Sequence, residues 1–448
     1  EKVRDVKGLG PKAEENVLAA LERLGEPGEG PGRVLLSAVR PVAEQLAEAL
    51  REHPAANRVE VAGSARRWAE TCKDIDLIAA AEEPAALAEH LAGHALIAAA
   101  GKPGPNGLRA QTHNGIAVDL RIVPPGAFGN LLQHFTGSAA HNVQLREEAV
   151  ARGLSVSEHG IVESESGETT LCASEADVYE RLGYAYIEPE LREGRGELKA
   201  AREGELPDLI ALEDVRGDLH SHTTLSDGRN TLAEMAAAGR ERGYAYMAIT
   251  DHSASHGFGD HVTAERLWQR IEEIAEWNEG RRGFRLLAGS EINIGLDGGL
   301  DYPDELVAAL DWAVASVHTS FSISGAAMTE RVLTAIENPD VDCIGHLTGR
   351  LIGRRAPYEI DVEAVVEAAA RTGTMLEING NPNRRDLSEH HARLAKEAGV
   401  KIVLNTDAHG VDTLDNMAYA VATARRAWLT AEDVANTRGW REFKRLLK

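Results

Sequence analysis

The chain has 448 residues, 43% of them hydrophobic, and a formal net charge of −23. Its length exceeds what one core organises, so roughly two or three domains are expected, and its apolar content excludes a disordered chain. The acidic surface excludes general affinity for nucleic-acid phosphates, but it leaves room for a local basic groove or for carboxylates that hold cations. No run of about eighteen apolar residues exists, which removes a membrane-spanning helix. Cys72, Cys172 and Cys343 lie far apart without zinc spacing, which suits a reducing cytoplasm and no disulfide framework. The opening EKVRDVKGLG has neither an initiator Met nor a signal peptide and is compatible with a fragment.

In residues 1–30, Val6-x-Gly8-Leu9-Gly10 leads into an amphipathic helix with Pro11 in its first turn. Glycines before a helix N-terminus can present N–H groups to a phosphate. The pattern resembles one helix-hairpin-helix element, a non-sequence-specific binder of the DNA backbone, with Gly8, Gly10 and Lys12 toward the phosphates. The plain alternative is a tight turn. A Pro/Gly linker (EPGEGPG) follows, then a helix over 33–53. Residues 58–80 read as strand, Gly63-Ser64 turn, the basic pair Arg66-Arg67, and a strand carrying Asp74 and Asp76. An Asp-x-Asp on a strand turns both carboxylates to one face, as shared ligands of two divalent cations require. Asp119 sits inside the apolar strand IAVDLRIV, where a carboxylate needs a reason to be buried.

Together these residues resemble the nucleotidyltransferase palm of the family X DNA polymerases. The likeness continues through LLQHFTGSAAHNVQLRE (131–147), similar to that family's Tyr-Phe-Thr-Gly-Ser segment and downstream Asn. The resemblance implies Mg²⁺ or Mn²⁺ on Asp74 and Asp76, with Asp119 activating the primer 3′-hydroxyl. It implies Gly63, Ser64 and Arg67 at the triphosphate, and Phe135, Gly137 and Asn142 at the sugar and base. His134 departs from the pattern by replacing the Tyr, so selection against ribonucleotides is expected to differ. Nothing in residues 1–30 corresponds to the family's lyase domain or to most of its fingers.

The expected order is a helix-hairpin-helix element (1–30), palm (31–130), thumb (131–190), a charged Gly/Pro-punctuated linker (191–214), and a last domain (215–448). From Val215 on, seven apolar strand-like runs alternate with helices: 215–220, 244–251, 284–294, 312–318, 341–346, 374–379 and 401–407. This predicts a parallel sheet with right-handed crossovers, closing into a distorted seven-unit barrel. The fold class is therefore α/β and α+β multidomain.

His220, His222, His252, Glu291, His318, His346, Asp407 and His409 all fall at strand C-terminal ends, where such barrels carry chemistry, and Asp227 lies in the first loop. A lone histidine there would be a capped or core residue; six histidines with three acids propose metal binding. Residues 215–448 resemble the PHP (polymerase and histidinol phosphatase) family. The resemblance implies one metal on His220, His222, Glu291 and Asp407, a second on Asp227, His252 and His409, and a third on Glu291, His318 and His346. Up to three Mn²⁺ or Zn²⁺ suit these donors. Arg350 is a candidate for substrate phosphate, and Asn379 and Asn381 for substrate contact. Asp251 is read as a partner of the ligands, His256, His261, His390 and His391 as ordinary, and Arg354-Arg355 as surface charge or a DNA track.

The whole resembles family X polymerases with a C-terminal PHP domain. It implies short-gap DNA repair from deoxynucleoside triphosphates, with 3′–5′ exonuclease and possible abasic-site activity, in a cytoplasmic monomer. The alternatives are a PHP phosphoesterase with an inactive polymerase half, and a non-catalytic DNA-end scaffold.

Overall fold

The computed structural model describes residues 32–255 and 262–448. Gly8, Gly10, Lys12, His256 and His261 lie outside them. The chain divides into two compact units at residues 202 and 203.

In the first unit β1 (Val34–Leu35) leads directly into α1 (Leu36–Arg51). Leu36, Val39, Ala43, Leu46, Ala47 and Leu50 recur at helical spacing and form its buried face. Then come β2 (Ala56–Val61), α2 (Gly63–Arg66), β3 (Thr71–Cys72), β4 (Asp74–Ala81), α3 (Pro84–Ala92), β5 (Ile97–Ala100), β6 (Gly107–Thr112) and β7 (Ala117–Val123). Five of these strands make a mixed sheet in the order β2-β4-β7-β6-β5. Its one parallel pair, β4 with β7, sets Asp76 directly opposite Asp119. The rest of the unit holds α4 (Phe128–Thr136), α5 (Ala139–Val150), a sheet of β8 (Leu154–Ser157), β9 (Gly160–Glu163) and β10 (Thr169–Thr170), α6 (Glu175–Arg181) and α7 (Glu197–Glu203).

Residues 191–202 are not the solvated connector expected from their charge. Arg192 is fully buried and its Nη1 lies 2.5 Å from Glu175 Oε1, while Arg66 grips the same carboxylate at 2.8 and 2.6 Å. Glu197 is equally buried and bonds His141 Nδ1 at 2.8 Å. These charges are partners of one another inside the first unit.

The second unit is a seven-stranded all-parallel sheet, β11 (Gly217–Asp218), β12 (Tyr246–Ile249), β13 (Arg285–Asn293), β14 (Trp312–Ser316), β15 (Cys343–Ile344), β16 (Met375–Asn379) and β17 (Ile402–Asn405), in sequential order. A parallel bridge from Ser221 to Ala408, with His222 N donating to Ala408 O at 2.8 Å, brings the two ends together and nearly closes the barrel. Crossover helices α8 (Leu232–Glu241), α9 (Ala264–Asn278), α10 (Gly325–Ile336), α11 (Val362–Thr372) and α12 (Glu389–Glu397) flank it, and α13 (Met417–Arg426) follows the last strand. Thr231, Thr263, Ser324, Asp361 and Ser388 cap five of them through their side chains. Five strands end two or three residues before a predicted ligand (His220, His252, His318, His346 and Asp407), and β13 carries Glu291 near its own C-terminal end, so the backbone delivers those side chains to one rim. Among the described residues no helix is long and apolar enough to cross a membrane.

Candidate functional site

In the first unit Asp74, Asp76 and Asp119 share one face of the sheet. Burial pushes the Asp76 carboxyl up to about 7, and the charges of Asp74 and Asp119 push the same way against Arg67 and Arg121. Such a set is at odds with itself until a cation joins it, so the donors fit a divalent metal. Asp119 Oδ2 receives Arg121 Nη2 at 2.9 Å, with Arg109 Nε at 3.6 Å.

Gly63 has φ +61°, and a Cβ there would stand 1.9 Å from Asp76 Oδ2. Only a glycine lets the turn run against the carboxylate. Ser64 is half-buried in α2. The Arg67 guanidinium donates from Nη1 to Thr136 O at 2.5 Å and from Nε to Glu193 Oε1 at 3.1 Å, beside Gly137. Gly137 follows α4 with φ +70°, and the Gly137–Ser138 peptide is cis. Phe135 packs on the cluster of Ala62, Ile78, Leu131 and Leu132. Asn142 is engaged with α4: its Nδ2 donates to His134 O at 2.7 Å, and its Oδ1 accepts from Gln133 at 3.0 Å. His134 Nδ1 lies 2.8 Å from Arg146 Nη2.

The second unit concentrates its donors around Glu291, a fully buried carboxylate at the C-terminal end of β13. His346 Nε2 lies 2.7 Å from Oε1 and His318 Nε2 at 3.1 Å. His252 Nδ1 is 3.0 Å from Oε2, and His220 Nε2 is 3.2 Å from it. His222 Nε2 faces Asp407 Oδ1 at 3.2 Å, and His409 Nε2 faces Asp227 at 3.2 Å. All nine predicted ligands therefore meet.

Three groups close to within 4.8 Å among the described residues: His220, His222, Glu291 and Asp407; His222, Asp227, His252 and His409; and His252, Glu291 and His318. The first is the expected set. The other two bring in His222 and His252 as bridging neighbours, while His346 stays on Glu291 alone. His220 Nε2 and Glu291 Oε2 are buried without a well-formed hydrogen bond, so the donors do not saturate one another and fit metal ions.

The electrostatics agree. Burial opposes the charge on Glu291, yet the surrounding imidazoles hold it well below the usual carboxylate range, and Asp407 behaves alike beside His220 and His222. Burial and the neighbouring His409 and His252 lower His222 to about 4; burial likewise lowers His318 to about 4. Neutral imidazoles and charged carboxylates are the metal-binding forms. Three imidazoles go the other way: against their burial, Glu377, Glu291 and Asp407 hold His220 well above the ordinary histidine value, Glu291 and Asp227 raise His252, and His409 is raised as well, which is what carboxylates do to a histidine when no cation shares them. Burial lowers His409, but Asp227 and Asp407 carry it to about 9. His346 and Asp407 hold positive φ of 25° and 53°, unusual for non-glycine residues and common where a site over-determines the backbone.

Glu377, in β16, was not singled out from the sequence. Its Oε1 accepts from His220 Nδ1 at 2.6 Å, leaving Nε2 to face the centre, and its Oε2 accepts the His346 backbone N–H at 2.7 Å. One carboxylate thus fixes two ligands. Its signal was available, a lone acid inside an apolar strand, as for Asp119. Asn379 is fully buried; its amide donates to Asp407 Oδ2 at 3.1 Å and to Glu377 at 3.2 Å, so it orients a ligand rather than meeting substrate. Asn381 Oδ1 accepts from Asn383 in a turn. Arg350 Nη2 is bonded to the Arg385 carbonyl. Arg384, also missed, places Nε 3.6 Å from Asp407 Oδ2. Asp251 holds the Asp227 loop by accepting from Thr223 N and Oγ1, both at 2.7 Å, and from Ser226 Oγ at 2.8 Å.

Residues 131–193 match the DNA polymerase beta thumb family, and residues 218–381 match the PHP domain family. The DNA polymerase/3′-5′ exonuclease PolX of Bacillus subtilis is 40% identical over 451 aligned residues, covering 100% of this chain and 78% of that protein. A probable phosphatase of Thermoanaerobacter is 33% identical over 232 residues, 49% of this chain and 89% of its own length. The probable phosphatase YcdX of Escherichia coli is 31% identical over 212 residues, 44% of this chain and 80% of its own. Those two are similar to the barrel; the first is similar throughout, with the thumb and the barrel in one chain. The chain belongs to the family X DNA polymerases that carry a PHP domain.

Proposed function

We propose that this chain is a DNA polymerase and 3′–5′ exonuclease that fills short gaps in DNA from deoxynucleoside triphosphates. The first unit supports the transferase half with three carboxylates on one sheet face, Asp76 and Asp119 in register. Bound Mg²⁺ or Mn²⁺ there, and up to three Mn²⁺ or Zn²⁺ in the barrel, supply positive charge to reacting phosphate oxygens. Asp74 and Asp76 hold the cations, and Asp119 accepts the proton of the primer 3′-hydroxyl. Gly63 and Ser64 offer backbone close to the triphosphate. Arg67 exchanges its Thr136 carbonyl for triphosphate oxygens, which keeps one cation in place before and after binding. Phe135, Gly137 and Asn142 border the sugar and base, and His134 in place of the family's Tyr alters selectivity against ribonucleotides. We place the enzyme in the cytoplasm, as a monomer, in base-excision-type repair.

The observation that carries the exonuclease half is the gathering of nine candidate ligand side chains, Glu291 and eight others, into one linked cluster. His220, His222, Asp227, His252, His318, His346, Asp407 and His409 complete that centre, and Glu377 and Asn379 hold their ligands at fixed angles. A gapped duplex incubated with Mn²⁺ tests both halves in one assay. Asp74→Ala should abolish extension and leave degradation; His220→Ala should do the reverse. Loss of both activities in either variant, or of neither, overturns the two-site reading.

A further inference from the structure

The rim of the barrel centre carries two arginines that holding the ligands does not require. Arg384, in the turn after β16, is one-fifth exposed at its side chain and lies beside Asp407. Arg355, on the loop after His346, is half-buried, and its Nε donates to Gly349 O at 2.8 Å. Its guanidinium carbon sits 4.3 Å over the ring of Phe321, which follows His318 by three residues and stacks on Tyr358 at 5.9 Å and 13°. Aromatic and backbone contacts thus fix the planar fork, which conserves the entropy that a free arginine would lose on gripping a ligand.

Among the described residues Arg355 has no carboxylate within salt-bridge distance, and the one acid near Arg384 is a metal ligand. The segments that carry them are joined, with Ile352 N donating to Asn383 O at 2.7 Å, and the positive charge of Arg384 adds to burial in disfavouring charge on Arg355. Like charges held together beside a cation-binding centre, in a chain otherwise strongly acidic, are stabilised by an anion between them. The metal ligands already lie around the position of the phosphate to be cleaved. What remains at the rim is the next phosphate along the strand.

We propose that Arg355 and Arg384 clamp the phosphate adjacent to the scissile one, so that the centre selects a polynucleotide 3′ end over a diester with a single phosphate. The proposal rests on the exonuclease reading and names its specificity determinant. A small phosphate ester offers nothing for the second contact.

The test compares a single-stranded oligodeoxynucleotide with bis(4-nitrophenyl) phosphate, using the full chain loaded with Mn²⁺. Arg355→Ala should lower the ratio of the two kcat/KM values by about 10-fold or more, chiefly through KM for the oligonucleotide. The salt dependence of that KM should flatten by roughly one phosphate contact. Arg355→Lys and Arg384→Lys, which keep charge and lose the fork, should fall between wild type and the Arg355→Ala and Arg384→Gln variants. An unchanged ratio, whether both rates fall together or neither falls, overturns the clamp. Hydrolysis of neither substrate by the wild-type chain would instead defeat the exonuclease reading on which it stands.

Discussion

Glu377 shows how one residue behind the ligands governs the centre. It holds the Nδ1 side of His220 and the backbone of His346, and Asn405 Nδ2 secures it at 2.9 Å. Glu377→Gln keeps the shape but removes the charge that fixes the His220 tautomer. Mn²⁺ affinity of the full chain, followed by titration calorimetry, should weaken by about 10–100-fold; an unchanged affinity would show that Glu377 only packs. At the other site Gly63→Ala meets two obstacles at once, a positive φ and Asp76 Oδ2 at 1.9 Å. Primer extension should drop by at least about 10-fold, since a displaced metal ligand costs positioning, while degradation of the same DNA persists. Equal extension by the alanine variant would detach Gly63 from the transferase site. The side chains that meet around Glu291 were legible because metal-binding residue types recur at one point of a repeated unit. Glu377 was not, because charge within an apolar strand announces a site without saying which side of the ligand it occupies.

At the scale of elements, charge along a sequence does not reveal solvation. Residues 191–202 read as a linker because Arg192, Glu193 and Glu197 look like surface groups, whereas Arg192 is inside, locked to Glu175 with Arg66. Burial would raise the Glu175 carboxyl, but Arg192 and Arg66 outweigh it and hold it near 2. A folded-state value below the ordinary 4.5 contributes stability that is complete above 4.5 and is lost as the pH falls toward 2. Glu175→Gln leaves Arg192 buried without its counter-charge, an expected loss of about 3–5 kcal/mol in urea unfolding at neutral pH. The gap between wild type and variant should narrow below pH 4.5; a gap independent of pH would remove Glu175 ionisation from the account. The seven strands were read correctly because each is apolar and, in six of them, a histidine or acid stands at or just past the C-terminal end. Their crossovers were read where a Ser, Thr or Asp cap marks the start, as at Thr231 and Ser388. The helix Met417–Arg426, after the last strand, has no side-chain cap to mark its start.

At the scale of the molecule, the two candidate centres differ in what they cost the fold. The palm carboxylates sit partly open on a sheet face, with Asp119 about one-fifth exposed and paired to arginines. The barrel instead buries Glu291, Asp407, His220 and His222 together, and buried ionisable groups destabilise a fold unless something neutralises them. The closing bridge between Ser221 and Ala408 lies between ligand pairs His220/His222 and Asp407/His409, so barrel closure and metal binding draw on the same few residues. Binding energy at this centre is then folding energy. Mn²⁺ at a hundred times its dissociation constant should add about 2.7 kcal/mol to the stability of the full chain and raise its melting temperature, with EDTA reversing the shift. Glu291→Gln, which removes the carboxylate shared by two of the clusters, should abolish most of that shift, whereas Asp74→Asn should leave it in place. A Mn²⁺-dependent rise of undiminished size in a variant carrying both Glu291→Gln and Asp74→Asn would show that Glu291 does not hold the barrel's metals.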